Sequence, residues 1–305
     1  MKNLRIKLLT KGLLLTILLV GSISCKDTPD KNASSEEKGI EEARLGGLAL
    51  YTVRYAMGDD AKKTLQAVAD AGYQNIEAAG YADGKFYNMP PEEFSALLKE
   101  LDLTPISTHQ ATVTLENADT MMADVKAAGF EYFVIPIPPM GLFKYNEEEK
   151  SMGMTGGAKN LAEILNTLGE KANAAGLQLL YHNHDFEFMK GEDGIVPIDY
   201  LLENCNPEFV NFQMDLYWVT KAGADPVAYF EKYPGRFKLW HVKDMAENGN
   251  FAPVGNGTID FARILAEKEK SGMDYYFVEQ DKTFTMEPLE AIKVSHDGIQ
   301  KIGFE

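Results

Sequence analysis

Four stretches of the chain share one grammar: VADAGYQNIEAAG (68–80), VKAAGFEYFVIPIP (125–138), ANAAGLQLLYHNH (172–184) and EKSGMDYYFVEQD (269–281). In each, a helix-favouring stretch ends on Gly72, Gly129, Gly176 or Gly272, and a β-rich apolar run follows within a few residues. Glycine takes the left-handed conformation that stops a helix. Runs that are apolar on both faces need helices covering them, which is the condition of a parallel sheet built from βα units. Filling the intervals gives strands at 46–53, 74–79, 104–109, 131–137, 177–184, 209–216, 236–243 and 274–280. Between them lie helices with recognisable starts: DDAKKTLQAVADAG behind Asp59, PPEEFSALLKEL with prolines in its opening turn, and DFARILAEKEKSG behind Asp260. Eight such alternations predict a closed (β/α)8 TIM barrel, one α/β domain over residues 45–305. An open doubly wound sheet would carry a Gly-rich fingerprint after its first strand, and LALYTVRYAMGDD has none.

The N-terminal segment obeys different rules. MKNLRIKLLTKGLLLTILLVGSISC places Lys2, Arg5, Lys7 and Lys11 before an apolar run from Leu13 to Val20, then small residues and Cys25. That is the pattern of an export signal, too short in its apolar part to span a bilayer. A cysteine directly after small residues resembles a lipobox, with Ser22 where leucine is usual. The expectation is a signal peptide over residues 1–24, lipidation at Cys25 and an exported lipoprotein, periplasmic or attached to the outer membrane. The polar KDTPDKNASSEEKG that follows lacks aromatic residues and apolar periodicity, so residues 25–44 are read as a disordered tether.

Loss of the four positive charges of the signal takes the formal net charge from −16 to −20. Nucleic-acid binding depends on Lys and Arg neutralising phosphates, so DNA and RNA are excluded as partners, and the membrane is reached through the lipid alone. Cys205 is the other cysteine, which leaves no intramolecular disulfide within the barrel and makes Cys205 a small core residue.

In a barrel of this kind the reactive face is formed by the C-terminal ends of the strands. Ionisable residues collect there: Glu77 on the second strand, His109 on the third, His182 and His184 on the fifth, Asp215 on the sixth, His241 and Lys243 on the seventh, and Glu279 on the eighth. Taken singly, each is as well explained as a turn former, a solvated rim residue or a hydrogen-bonded structural histidine. Their coincidence argues otherwise, because buried charge is expensive unless paired or metal-bound. Side chains two apart on a strand share a face, so His182 and His184 are expected to point to the axis and Asn183 to the helices. With Asp215, His241 and Glu279 they form a mixed imidazole and carboxylate set suited to Mn²⁺, Co²⁺ or Zn²⁺ and too nitrogen-rich for Ca²⁺. The fifth histidine, His296, falls in the last helix and is read as a surface residue.

The segments YHNHDFEF, MDLYWV, DPVAYFEKYPGRFKLWHVKD, VGNGTIDF and YYFVEQD, in this order, resemble the sugar phosphate isomerase/epimerase family with the xylose isomerase-like barrel, and within it an exported Bacteroidetes-type subgroup. The resemblance runs from about residue 45 to 305. It implies one divalent ion (Mn, Co, Zn or Mg) held by a Glu on strand 5, an Asp on strand 6, a His on strand 7 and a Glu on strand 8. The last three fall on Asp215, His241 and Glu279. At strand 5 a typical EN pair is HN here, placing His182 at the ligand position and leaving His184 and Glu187 as alternatives.

The resemblance further implies a small carbohydrate substrate whose carbonyl is polarised so that a base takes the adjacent proton. His109 and His184 are the candidate bases, Glu77 and Lys243 the orienting groups, and Glu187, Trp218 and Phe251 the substrate contacts, with a salt bridge to Asp244 or Glu279 as the bland reading of Lys243. Phe143 and Tyr145 are further candidates for sugar stacking. No cluster of Arg and Lys marks a phosphate site, so the substrate is expected to be unphosphorylated. The sharpest reading is a 3-keto-glycoside lyase or 3-keto-glucal hydratase. The alternatives are an isomerase or epimerase of a free ketose and a lipid-anchored sugar-binding protein. An endonuclease is disfavoured by the acidic surface. Residues 138–157 and 246–260 are candidate lids. Oligomeric state is not legible.

Overall fold

The apolar runs pair side by side as a closed ring of parallel strands. The computed structural model describes residues 45–304 apart from residue 192; the signal, Cys25 and the whole of the tether expected from the sequence lie outside the described residues. The barrel strands are β1 (Gly46–Ala49), β2 (Asn75–Ala78), β3 (Thr104–His109), β4 (Tyr132–Ile135), β5 (Gln178–His182), β6 (Val210–Asp215), β7 (Phe237–Val242) and β8 (Tyr275–Val278). Each pairs with its neighbours in sequence, and β8 closes on β1. All eight expected strands form, several shorter than their apolar runs. The first stops at Ala49, where a 3-10 helix (Leu50–Val53) begins.

Helices cover the outside as the punctuation requires. Ala61–Asp70 is capped by Asp60, whose side chain accepts from the Lys63 N–H; Asp59, the expected boundary, ends the preceding short helix. Pro91 opens its helix, and Asp260 caps Phe261–Leu265. Gly272 ends its helix at φ +82°, in the left-handed region.

Strand alternation decides which side chains enter the barrel. In β5, Leu180 belongs to the inner apolar plug, while Leu179 and Tyr181 join the larger core between strands and helices. The plug consists of Ala49, Ile106, Tyr132, Val134, Leu180, Leu239 and Phe277. Two strands break the alternation. Ile76 pairs with Pro105 but Glu77 with Ser107, making Ile106 an extra residue in β3; Phe212 pairs with Phe237 but Gln213 with Leu239, making Lys238 an extra residue in β7. One inserted residue reverses the facing of everything after it. Phe237 accordingly packs in the outer core and Leu239, two positions on, in the inner plug.

Above the plug, the segment after β4 forms an antiparallel hairpin, Phe143–Asn146 with Ser151–Met154. The segment after β7 is tied down: the Asp244 carboxylate accepts from the backbone N–H groups of Met245, Gly255, Gly257 and Ile259. Beside the plug, Gly47 makes room for Phe277, since a Cβ there would lie 2.7 Å from the Asn75 carbonyl oxygen and 2.8 Å from the Phe277 ring. Gly47→Ala is expected to lower the unfolding free energy by about 1–3 kcal/mol. Urea denaturation checks this, and an unchanged midpoint would contradict the close packing of β1 on Phe277.

Candidate active site

A cavity of about 580 Å³ opens at the C-terminal end of the barrel, lined among others by His109, His182, His184, Trp218, Lys243 and Glu279. That size suits a small ligand. A larger cavity of about 880 Å³, between the hairpin and residues 189–197, includes none of these histidines.

Asp215, the last residue of β6, caps the helix that follows: its Oδ1 accepts from the Trp218 N–H at 2.9 Å. This capping bond aims the other oxygen into the barrel. Oδ2 lies 2.9 Å from Lys243 Nζ, 3.7 Å from His241 Nδ1 and 3.8 Å from His182 Nε2. Glu279 Oε2 lies 2.6 Å from Lys243 Nζ and 2.8 Å from His241 Nδ1. A third carboxylate, Asp281, is 2.8 Å from the same ammonium. Burial by itself would discharge Lys243, but Asp215, Asp281 and Glu279 hold its pKa well above the ordinary value. Burial likewise favours the acid forms of Asp215 and Glu279, and Lys243 with His241 overcomes it and keeps both pKa values low. For Asp281 burial wins, with help from Glu279, and its pKa rises to about 6.

Beneath this cluster lies a second network. Glu77 accepts from Ser107 Oγ and Gln213 Nε2, each at 2.7 Å, and its Oε1 is 2.5 Å from His241 Nε2 and 3.1 Å from His109 Nε2. Gln213 Oε1 in turn faces His109 Nε2 at 2.8 Å and His182 Nδ1 at 3.0 Å. Burial would raise the Glu77 pKa, but His109 and His241 hold it well below the ordinary value. Burial pushes His182 far down, and takes His184 to about 3, with Lys243 adding to the effect on His184. Both rings are therefore neutral at pH 7.

Several sequence expectations change in detail. β5 ends at His182, so His184 stands beyond the strand, yet its ring is 4.9 Å from that of His182 and 5.3 Å from that of Trp218, and it lines the cavity. Asn183 does not point to the helices; its Oδ1 accepts from the Asp215 N–H at 3.1 Å and ties β5 to β6. Glu77 does not line the cavity: it lies 1% exposed, with its two oxygens taken by Ser107, Gln213 and His241. Glu187 is neither a ligand nor a substrate contact: its carboxyl takes the Tyr181 O–H at 2.7 Å and the His184 N–H at 2.8 Å in a fully buried site. Phe251 braces the wall instead of lining it, its ring 4.3 Å from Tyr217 and 5.7 Å from Trp218. His296 is half-buried, edge-on to Tyr73. Lys243 reaches Glu279, one of the two bland partners, while Asp244 is taken up by its loop. Sequence reasoning missed Asp281 and Gln213. Both stand two positions from a named residue, Glu279 or Asp215, which is the strand spacing that puts them on one face.

Whether a divalent ion fits can be tested on the donors. One ligand atom from each of Asp215, His241 and Glu279 lies within 4.8 Å of the others. Buried Asp215 Oδ2 and His241 Nδ1 have charged neighbours but no aligned hydrogen bond. Burial opposes a charge on His241, but Glu279 and Glu77 raise its pKa well above the ordinary value; once the ring releases its Nδ1 proton, two carboxylates and an imidazole converging in this way fit a divalent cation, and His182 Nε2 borders the same point. His109, His182 and His241 also approach one another within 4.8 Å, but Glu77 and Gln213 already engage one nitrogen of each ring.

Known proteins resemble this chain over most of the barrel. The family description "xylose isomerase-like TIM barrel" matches residues 65–300. Inosose dehydratase of Lacticaseibacillus casei is 30% identical over 144 residues, 40% of this chain and 47% of that protein. The chain thus aligns with about half the length of that relative. Inosose dehydratase of Clostridium botulinum is 26% identical over 292 residues, 88% of this chain and 90% of that one. A sugar phosphate isomerase/epimerase from Parabacteroides distasonis superimposes with a TM-score of 0.72 at 25% identity, covering 86% of this chain and 99% of that one.

The placement of Glu187 has a consequence for stability. Burial raises its pKa to about 8, above the value of about 4.3 for an unfolded Glu. The folded state therefore holds a proton that the unfolded state has released, and stability falls as pH rises through this window. Glu187→Gln removes the penalty while keeping an acceptor for the His184 N–H. Relative to the variant, the wild type is expected to lose up to about 1.4 kcal/mol per pH unit between pH 5 and 8. Urea unfolding at the two pH values reads the difference, and parallel behaviour of the two proteins would refute it.

Proposed function

Since the chain belongs to the xylose isomerase-like TIM barrel family, we propose that it is a metal-dependent carbohydrate enzyme acting on an unphosphorylated keto-sugar through enolisation. In its sharpest form it is a 3-keto-glycoside lyase or 3-keto-glucal hydratase, carried outside the cytoplasm on a lipid at Cys25. The observation that carries this reading is the convergence of Asp215, His241 and Glu279 at a sugar-sized cavity bordered by neutral imidazoles. Inosose dehydratase, the name of the matched relatives, denotes loss of water from a keto-cyclitol, a C–O cleavage of the kind proposed.

Asp215, His241 and Glu279, with His182, would hold the ion. When bound, it supplies positive charge that polarises a carbonyl and acidifies the neighbouring C–H. The remaining roles belong to the chain. His109 lines the cavity with its Nε2 turned to Glu77 and Gln213, which leaves Nδ1 as the atom that takes the proton. His184, whose pKa burial lowers to about 3, is a poor base at pH 7 and forms wall beside Trp218. Lys243, kept as an ammonium by three carboxylates, offsets their charge next to the reacting oxygens and orients the substrate. Trp218 offers an apolar face to a sugar ring.

Two features support an unphosphorylated substrate and cleavage over epimerisation. Of the three lysines lining the cavity, Lys243 is neutralised by its three acids and Lys221 is 3.4 Å from Asp185, so Lys150 on the hairpin is not joined by a second uncompensated cation that could form a phosphate cluster. A proton exchange between two glutamates needs an acid on β5, and His182 stands there.

The test incubates the full chain, loaded with Mn²⁺, Co²⁺ or Zn²⁺, with 3-keto-glucosides and with free ketoses in D₂O. Release of the aglycone is expected from a lyase, and deuterium next to the carbonyl wherever the enediolate is reprotonated or the glycal hydrated. Neither aglycone release nor incorporation in either panel would remove the enolisation mechanism. His109→Asn is expected to lower kcat by about 10²–10⁴-fold with KM little changed, whereas an unchanged kcat would assign the base elsewhere.

A further inference from the structure

The two irregularities in the barrel ladder fall where Glu77 and Gln213 enter the interior. Pairing of β2 with β3 shifts between Ile76 and Glu77, and pairing of β6 with β7 shifts between Phe212 and Gln213. Such irregularities are rare between parallel strands and re-aim side chains near sites. Here they stack a glutamate and a glutamine under the three central histidines, and donor and acceptor rules then leave little freedom.

Glu77 gathers Ser107 Oγ, Gln213 Nε2 and His241 Nε2 around its two oxygens, and a carboxylate is an acceptor. The Gln213 group facing it must be the NH₂, which fixes the amide orientation and turns Oε1 to the histidines. His182 Nδ1 at 3.0 Å and His109 Nε2 at 2.8 Å must then both carry hydrogen. For His109 the conclusion holds twice, because Glu77 Oε1 is also 3.1 Å from Nε2.

We infer that Gln213, oriented by Glu77, is a positioning residue that locks His182 as the Nδ1–H tautomer and His109 as the Nε2–H tautomer. The locked ring of His182 presents its Nε2 lone pair toward Asp215, and the locked ring of His109 keeps Nδ1 free to accept a proton. A neutral histidine at a ligand position has two nitrogens to choose from, unlike a glutamate, so placing His182 on β5 demands a partner that decides between them. Gln213 pairs with His182 across the β5–β6 ladder. For its consequence this inference rests on the metal-site reading above; for the tautomers it rests on hydrogen bonding alone.

With five histidines in the chain, ¹⁵N-histidine labelling of the full, chelator-treated protein and long-range ¹H–¹⁵N correlation at pH 7 reads each ring directly. The expected pattern is hydrogen on Nδ1 of His182 and on Nε2 of His109. Hydrogen on Nε2 alone of His182 overturns the inference, whatever any variant does. Gln213→Leu, folded by circular dichroism, is expected to give His182 a mixture of tautomers and to weaken Co²⁺ binding, followed by its absorption spectrum, about 10–100-fold. An unchanged ring pattern together with unchanged Co²⁺ affinity in that variant also overturns it. Absence of Co²⁺ binding by the wild type would sink the metal reading instead, and the ring spectrum would still decide the tautomers.

Discussion

The cost of holding charge away from water governs the mouth of this barrel. Lys243 is 2% exposed, and Asp215, His241 and Glu279 are similarly buried. An ionised group in such a place survives only if partners replace its hydration. Lys243 finds three carboxylates, and Glu77 finds a hydroxyl, an amide and two imidazoles. Removing one member strands the others, so the cluster is bound together energetically. The same mutual dependence prepares it for function, because groups that cannot relax toward water present fixed lone pairs and charges to whatever enters.

The scaffold supplies that rigidity through closure and through two local departures from regularity. A ring of parallel strands has no free edge, and the plug around Leu239 and Phe277 gives the polar layer a floor. Strict alternation would have sent Leu239 and His241 to the helices once Phe237 faced them. The extra residue at Lys238 reverses this, and the one at Ile106 lets the plug keep Ile106 while Ser107 and His109 rise above it. Fold and chemistry meet in these insertions: one residue of slippage would put His241 of β7 in the outer core.

Much of this was legible in the chain. Helix, glycine and apolar run recur at a spacing that only a parallel sheet satisfies, and all eight strands stand within a few residues of where that grammar puts them. Asp215, His241 and Glu279 were found because strand-end ionisable residues are conspicuous against apolar runs. Glu77, Glu187 and Phe251 illustrate the limit. A carboxylate beside a cavity and one beneath it share the same sequence neighbourhood, and only the partners distinguish them: Tyr181 and the His184 amide for Glu187, four polar side chains for Glu77. Phe251 faces Tyr217 because the Asp244 cage folds its loop back.

By itself, then, the sequence determined the architecture, the end of the barrel that carries the ionisable groups and the residue types available there, since these follow from local periodicity and from helix and strand punctuation. Tertiary structure decided which oxygen faces which nitrogen. Gln213 faces the interior by the regular alternation of β6, as Asp215 does, but the insertion in β7 decides which residues of that strand it meets. Asp281 joined the site because Lys243, thirty-eight positions earlier, reaches across to it. Hydrogen bonds and ion pairs act over about 3–4 Å, and distances that short between residues remote in sequence exist only once the ring has closed.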